Sequence, residues 1–374
     1  MRLLITTDVA GGVWSYTEEL VDALTARGHA VALVSLGGEP TPAHRAWLAA
    51  RPTLDFTALD APLEWMAEPE PALSASVEAL CQVVRRFRPD VIHLNQFFYG
   101  AHDLGAPKLV VAHSDVVSWW EMVKRESPPD DAWFRRYRGW VRDGLAGADA
   151  RVAPSAWMAR TAERIYGAGP VRAIHNARTA APYAAAARTE REPLVVAAGR
   201  LWDEAKGARD LADAAARLGG AGRIIVAGPA TSPDGSGERF PTDAPGVEWA
   251  GVLDASELRA LLGRAAVYVG ASRYEPFGLA PLEAALAGCA LVLADIDSFR
   301  ELWDGCALFY PPGDGATLAH TLRALLGDPA RRAALAAAAQ DRARERYAAE
   351  RMAAEYEAIY HALLAPAGPL NPES

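Results

Sequence analysis

The sequence predicts an α/β chain of two parallel-sheet domains, on three observations. Its 374 residues exceed one ordinary core and fit two domains of the usual size. Short apolar runs alternate with amphipathic helical stretches along the whole chain. That alternation begins a second time at Leu194, after a stretch from Ala177 to Pro193 that is rich in Ala, Pro, Arg and Glu and has little periodicity.

In the first half, Leu3 to Thr7 reads as a strand, Val13 to Arg27 as a helix closed by Gly28, and Ala30 to Ser35 as the next strand. Val91 to Leu94, Leu109 to Ala112, Ala150 to Ala153 and Val171 to Ile174 complete that series. The second series runs through Leu194 to Ala198, Arg223 to Ala227, Val247 to Trp249, Val267 to Val269 and Ala290 to Leu293. Asp328-Pro329 starts an Ala/Arg-rich helix, with Asp as N-cap and Pro at the first helical position. Met352, Tyr356, Ile359, Tyr360 and Leu363 follow helical spacing in a final stretch, and pattern alone permits a plain end helix of the second domain. The expected organisation is therefore a domain over 1–177, a linker over 178–193, a domain over 194–345, a terminal helix over 346–365 and a disordered tail over 366–374. Two comparable halves of this kind make two Rossmann-like domains facing a deep cleft.

The bulk numbers remove several function classes. The apolar fraction is 51% with no run of 18 apolar residues, so no membrane span is expected. The net charge of −9 speaks against nucleic-acid or general anionic-membrane binding, while leaving room for a small basic pocket. Cys81, Cys289 and Cys306 are scattered and odd in number, which fits a reducing compartment and offers no metal-ligand spacing. The start, MRLLITTDVAGG, reads as a strand and turn and lacks a signal-peptide core, so a cytoplasmic protein is expected.

The most informative stretch is Glu275-Pro276-Phe277-Gly278-Leu279-Ala280-Pro281-Leu282-Glu283. On one continuous helix the two glutamates would lie about 80° apart and share no face. Pro276 and Gly278 break such a helix, and Pro281 suits the first turn of one beginning near Leu279. Glu275 then belongs to a loop and Glu283 sits one turn into the helix. Both could face a ligand at the helix N-terminus, whose N–H groups suit a phosphate that Gly278 lets come close. A diphosphate between two hydroxyl-holding carboxylates describes a nucleotide sugar. Gly199-Arg200-Leu201-Trp202-Asp203-Glu204-Ala205-Lys206-Gly207 follows the first strand of the second half, where ligands of α/β sheets bind. There Arg200 offers a planar fork and Lys206 a point charge. Gly11-Gly12 links the first strand to the first helix and is not G-x-G-x-x-G, which removes the main support for a nicotinamide dehydrogenase.

The nine-residue stretch resembles the E-x7-E motif of retaining glycosyltransferases of family 4, which have the two-domain GT-B fold. The resemblance spans nearly the whole chain and is strongest from Gly199 to Glu283. It implies that Glu275 contacts sugar hydroxyls, helped by the backbone at Phe277, Gly278 and Leu279. It implies that Glu283 holds the ribose, and that Arg200 and Lys206 neutralise the departing diphosphate. It further implies that Gly11 and Gly12 approach the donor phosphates, that His113 touches the donor sugar, and that the last helix crosses back onto the first domain. A core histidine is the competing reading of His113, while His93 and His29 look structural. Asn176-Ala177-Arg178 departs from the family's Asn-Gly-Val-Asp in its second and third places, so the resemblance assigns no role there.

Aromatic residues crowd the first half, and Trp119, Trp120, Phe98 and Tyr99 are candidate acceptor contacts, against core packing as the alternative. Trp133, Tyr137 and Trp140 at helical spacing among Arg135, Arg136, Arg138 and Arg142 make either a peripheral membrane helix or a domain helix with a solvated basic face. The expected function is transfer of a hexose from a nucleoside-diphosphate sugar, UDP-glucose being one candidate, to a hydroxyl acceptor. That acceptor would be a small molecule, a glycan or a lipid-linked sugar. No cofactor is expected beyond the donor as co-substrate, and no metal, since no Asp-x-Asp pattern lies near these motifs. The alternatives are an epimerase or phosphorylase of the same fold, or a non-catalytic nucleotide-sugar-binding protein.

Overall fold

The computed structural model describes residues 1–188, 190–232, 235 and 239–365. The expected tail over 366–374 lies outside them. The chain forms two compact units. Among the described residues, the first comprises Met1–Ser118, Pro128–Ile174 and 349–365; the second comprises Trp119–Ser127 and His175–Ala348.

The first unit holds seven strands: β1 (Arg2–Asp8), β2 (Ala30–Leu36), β3 (Asp55–Ala58), β4 (Val91–Leu94), β5 (Lys108–Val111), β6 (Ala150–Ala153) and β7 (Arg172–Ala173). They form one parallel sheet in the order β3-β2-β1-β4-β5-β6-β7. The second unit repeats the plan with β8 (Glu192–Ala198), β9 (Arg223–Ala227), β10 (Val247–Trp249), β11 (Ala265–Gly270), β12 (Ala290–Ala294) and β13 (Ala307–Tyr310), ordered β10-β9-β8-β11-β12-β13 and parallel throughout. Both sheets reverse direction of growth beside their first strand, so each has a switch point there.

Strands buried on both faces read as unbroken apolar runs, because successive side chains feed opposite layers. Val196, Tyr268 and Leu291 pack into one core of the second unit with Leu282, Phe299 and Trp303. Their chain neighbours Val195, Val267 and Val292 pack into the other with Leu211, Leu318 and Tyr310. The sequence pattern misses β3 and β13. β3 is an edge strand with no fully buried residue, and β13 is an edge strand buried only at its two ends. β3, Asp-Phe-Thr-Ala, carries no continuous apolar run, and β13, Ala-Leu-Phe-Tyr, is an apolar run of only four residues. Within the stretch expected as linker, Ala181–Ala186 is a short helix that buries Tyr183.

The terminal helix Ala349–Leu364 packs within the first unit. His93 Nδ1 lies 2.7 Å from the Tyr360 hydroxyl, and His29 Nε2 lies 2.5 Å from Glu357 Oε1. Arg27 Nε donates to the same Glu357 carboxylate at 2.7 Å. The basic helix Ala132–Ala146 turns its rings inward. Trp133 stacks on buried Tyr137 at 5.3 Å and donates its indole N–H to Met66 O, while Arg135, Arg138 and Arg142 face solvent. No described helix is long and apolar enough to cross a membrane.

Candidate active site

The switch point of the second unit lies between β8 and β11, and two loops meet there. After β11 the chain runs through Ser272 to Gly278 into the helix Leu279–Leu286. Phe277 is sunk in the core, edge-on to Tyr347 at 5.4 Å, and anchors the loop. The Ser298 hydroxyl donates to Glu275 O at 2.6 Å and fixes its backbone. Gly278 is the N-cap residue, with φ 91°, and no side chain caps the helix. A Cβ at Gly278 would lie 3.1 Å from Phe299 and 3.2 Å from Glu275. Uncapped first-turn N–H groups with their positive dipole suit an anion.

The second loop follows β8. Asp203 caps its turn, accepting from Ala205 N–H at 3.0 Å, and also takes Arg200 Nη2 at 2.8 Å. Arg273 N–H donates to Ala205 O at 2.7 Å and ties the two loops together. Gly207 sits against the β11 loop with φ 59°, where a Cβ would lie 2.1 Å from Ala271 O. That contact is the physical reason for glycine after lysine. The result is that Lys206 Nζ donates to Glu275 Oε2 at 2.6 Å, with the Ser272 hydroxyl 3.2 Å from the same oxygen. Lys206 and Glu275 keep 23% and 18% of their side-chain surface, so both remain reachable. One turn into the helix, Glu283 Oε1 accepts from Arg178 Nε at 2.8 Å.

The first unit has its switch point between β1 and β4. Gly11 and Gly12 are exposed at the start of the helix Gly12–Ala26. Asn95 follows β4, and its amide donates to Thr6 O at 2.6 Å. Its carbonyl oxygen therefore faces His113 Nε2, 2.8 Å away. His113 follows β5 and must carry its proton on Nε2, which makes Nδ1 an acceptor. Tyr16 packs edge-on to the His113 ring at 4.6 Å and its hydroxyl lies 3.2 Å from His93 Nε2. Burial pushes both imidazoles down to about 3, with the charge of His113 adding to the effect on His93. Asp115 is buried and pushed upward by that burial, and it caps Ser118 N–H at 2.9 Å while taking the Tyr166 hydroxyl at 2.6 Å.

Residues 10–179 match the family model described as Glycosyltransferase Family 4, and residues 192–328 match that described as Glycosyl transferases group 1. A glycogen synthase of Mycobacterium tuberculosis is 31% identical over 389 residues, covering 93% of this chain and 88% of the relative. The chain belongs to glycosyltransferase family 4. Its fold is likewise similar to that of sucrose-phosphate synthase from Thermosynechococcus elongatus, with a TM-score of 0.81, 22% identity and coverage of 97% and 99%. Anabaena HepE in complex with UDP-glucose gives a TM-score of 0.73 at 17% identity, covering 97% and 100%. The two parallel-sheet units are those of the GT-B fold.

In this family 4 glycosyltransferase, the structure brings Glu275 and Lys206 into direct contact and sets Glu283 on the adjoining helix. Arg200 lies on the Lys206 loop, half exposed and paired with Asp203. The Phe277 side chain is buried and Leu279 packs on the same core, which leaves their backbone as the part beside the loop. The expectation for Phe98 and Tyr99 needs correction. Phe98 is 5% exposed and edge-on to Trp140, and Tyr99 is fully buried with its hydroxyl 2.6 Å from Ser76 Oγ. Both are packing residues with no surface to offer an acceptor. Trp119 and Trp120 are half-buried on the helix Val116–Lys124, in a segment that groups with the second unit. Sequence reasoning missed Arg178, Asp203 and Asn95 as partners of the candidate residues. The break in the Asn-Gly-Val-Asp pattern was the signal at Arg178.

Proposed function

We propose that the chain is a retaining transferase that moves a hexose from a nucleoside-diphosphate sugar, UDP-glucose being the first candidate, to a hydroxyl acceptor. The observation that carries this reading is the Lys206–Glu275 contact beside an uncapped helix N-terminus at the switch point of the second sheet. A cation and a hydroxyl-accepting carboxylate then stand side by side. The donor diphosphate takes the first-turn N–H groups of the helix Leu279–Leu286, with Lys206 and Arg200 supplying positive charge. As the glycosidic bond breaks, charge grows on the leaving phosphate, and these groups stabilise it most at that moment. Glu275 accepts from sugar hydroxyls and Glu283 from the ribose. Gly11 and Gly12 form the turn for close backbone approach to phosphate, and Nδ1 of His113 accepts from a sugar hydroxyl.

The leaving phosphate oxygen takes the acceptor proton on the face it departs from, which retains the anomeric configuration. Inversion would require a base on the opposite face. Asp115, the one carboxylate beside the His113 segment, is engaged by Ser118 and Tyr166. Positive side chains take the part that a metal plays elsewhere. The reducing cytosol suits three free cysteines. Proton NMR of the fresh product tests the whole reading: free nucleoside diphosphate and an α-linked product from an α-linked donor are expected. A β-linked product, or no free diphosphate, would overturn it.

A further inference from the structure

Arg178 occupies a place that stability alone does not explain. Its side chain is 9% exposed and its Nε lies 2.8 Å from Glu283 Oε1, in a carboxylate that is 12% exposed. A buried ion pair gives little net stability, because desolvation of both charges offsets their attraction, and an apolar pair of equal volume would serve the core as well. The backbone at Arg178 is held too: its N–H donates to Tyr347 O at 3.1 Å. His175, three residues earlier, packs edge-on to Tyr347 at 5.3 Å, and Ala177 is fully buried. Arg178 is thus fixed at both ends, and it in turn restrains a glutamate that would otherwise sample several rotamers.

We propose that Arg178 is a positioning residue that sets the preference of the donor site for ribose over deoxyribose. It engages Oε1 of Glu283 and thereby holds Oε2 to accept from a ribose hydroxyl. The ordering cost is met before the ligand arrives, so the hydroxyl contact adds its full effect to affinity. This inference rests on the reading that Glu283 holds the ribose.

The test is calorimetry with UDP, ADP and GDP, taking whichever the wild type binds, against its 2′-deoxy and 3′-deoxy counterparts. The wild type should bind the ribonucleotide about tenfold more tightly than at least one deoxy form, the size expected of one hydrogen bond to a charged group. Glu283→Gln should bring that ratio near one. Arg178→Met should do the same, and Arg178→Lys should give an intermediate ratio, which keeps the test available if the Met variant does not fold. If Glu283→Gln leaves the ratio unchanged, the ribose reading falls and this inference with it. If Glu283→Gln abolishes the ratio while both folded Arg178 variants keep it, only the inference falls. A merely structural Arg178 would weaken ribo and deoxy forms alike, which also overturns it.

Discussion

The two units share one plan and equip it in opposite ways. Each has a parallel sheet whose first strand sits inside the sheet, and each gathers its polar residues at the carboxyl edge beside that strand. In the first unit these residues form a neutral network, in which Thr6 and Asn95 orient His113 while Tyr16 and Tyr360 hold His93. In the second unit they form ion pairs, Lys206 with Glu275, Arg178 with Glu283 and Arg200 with Asp203. Topology selects the place, and side-chain chemistry selects the task. A neutral network can be buried cheaply if every group is bonded, and it orients a ring without attracting charge. The Lys206–Glu275 and Arg200–Asp203 pairs, left partly in water, can exchange a partner for a ligand phosphate or hydroxyl, whereas the buried Arg178–Glu283 pair keeps its geometry.

Removing the carboxylate should have the largest effect. Glu275→Ala should fold normally yet lose about a thousandfold in kcat, the scale of a lost transition-state contact. A loss below about tenfold in steady-state kinetics would end its role as the sugar-holding group. Next come the cations. Lys206→Ala should weaken nucleoside diphosphate about a hundredfold and Arg200→Ala about tenfold, since Arg200 is half exposed and its charge is better screened. The free nucleoside should be little affected in either. Calorimetry giving equal losses for nucleoside and diphosphate would remove the ionic character assigned to this unit.

The neutral unit should reveal itself through pH. His93 and His113 are held down to about 3, against an unfolded value near 6.5. Below pH 6.5 the unfolded chain takes up protons that the folded chain refuses, so stability is full above that value and falls with acidification toward pH 3. Between pH 6.5 and 5, where most carboxylates stay ionised, each such histidine should cost up to about 1.4 kcal/mol per pH unit. Urea titrations of His93→Gln should show a slope shallower than wild type by up to one proton. An unchanged slope would mean that His93 takes a proton in the folded state. The smallest expected effect is that of EDTA, which should leave transfer within about twofold, since Lys206 and Arg200 supply the charge. Activity abolished by chelation and restored by magnesium or manganese would bring the ionic site closer to a metal-bridged one.

What could be read from the sequence is what neighbouring residues decide among themselves. The β-strands at the centre of each sheet showed as apolar runs because they are buried on both faces. The start of the helix at Leu279 was legible because Pro276, Gly278 and Pro281 act on the backbone within a few residues. The kind of chemistry followed from two glutamates at that start, together with Arg200 and Lys206 after the first strand of the second half. Tertiary structure alone decided the pairings. Lys206 meets Glu275 across 69 positions, Arg178 meets Glu283 across 105, and His93 meets Tyr360 across 267. It also sank Phe98 and Tyr99 into the core, although aromatic rings suit a binding surface equally well. A side chain's type and local spacing state what it can do. Its burial and partner are set only when the sheets bring distant loops to one edge, because the energy of a contact depends on distance in space and not along the chain.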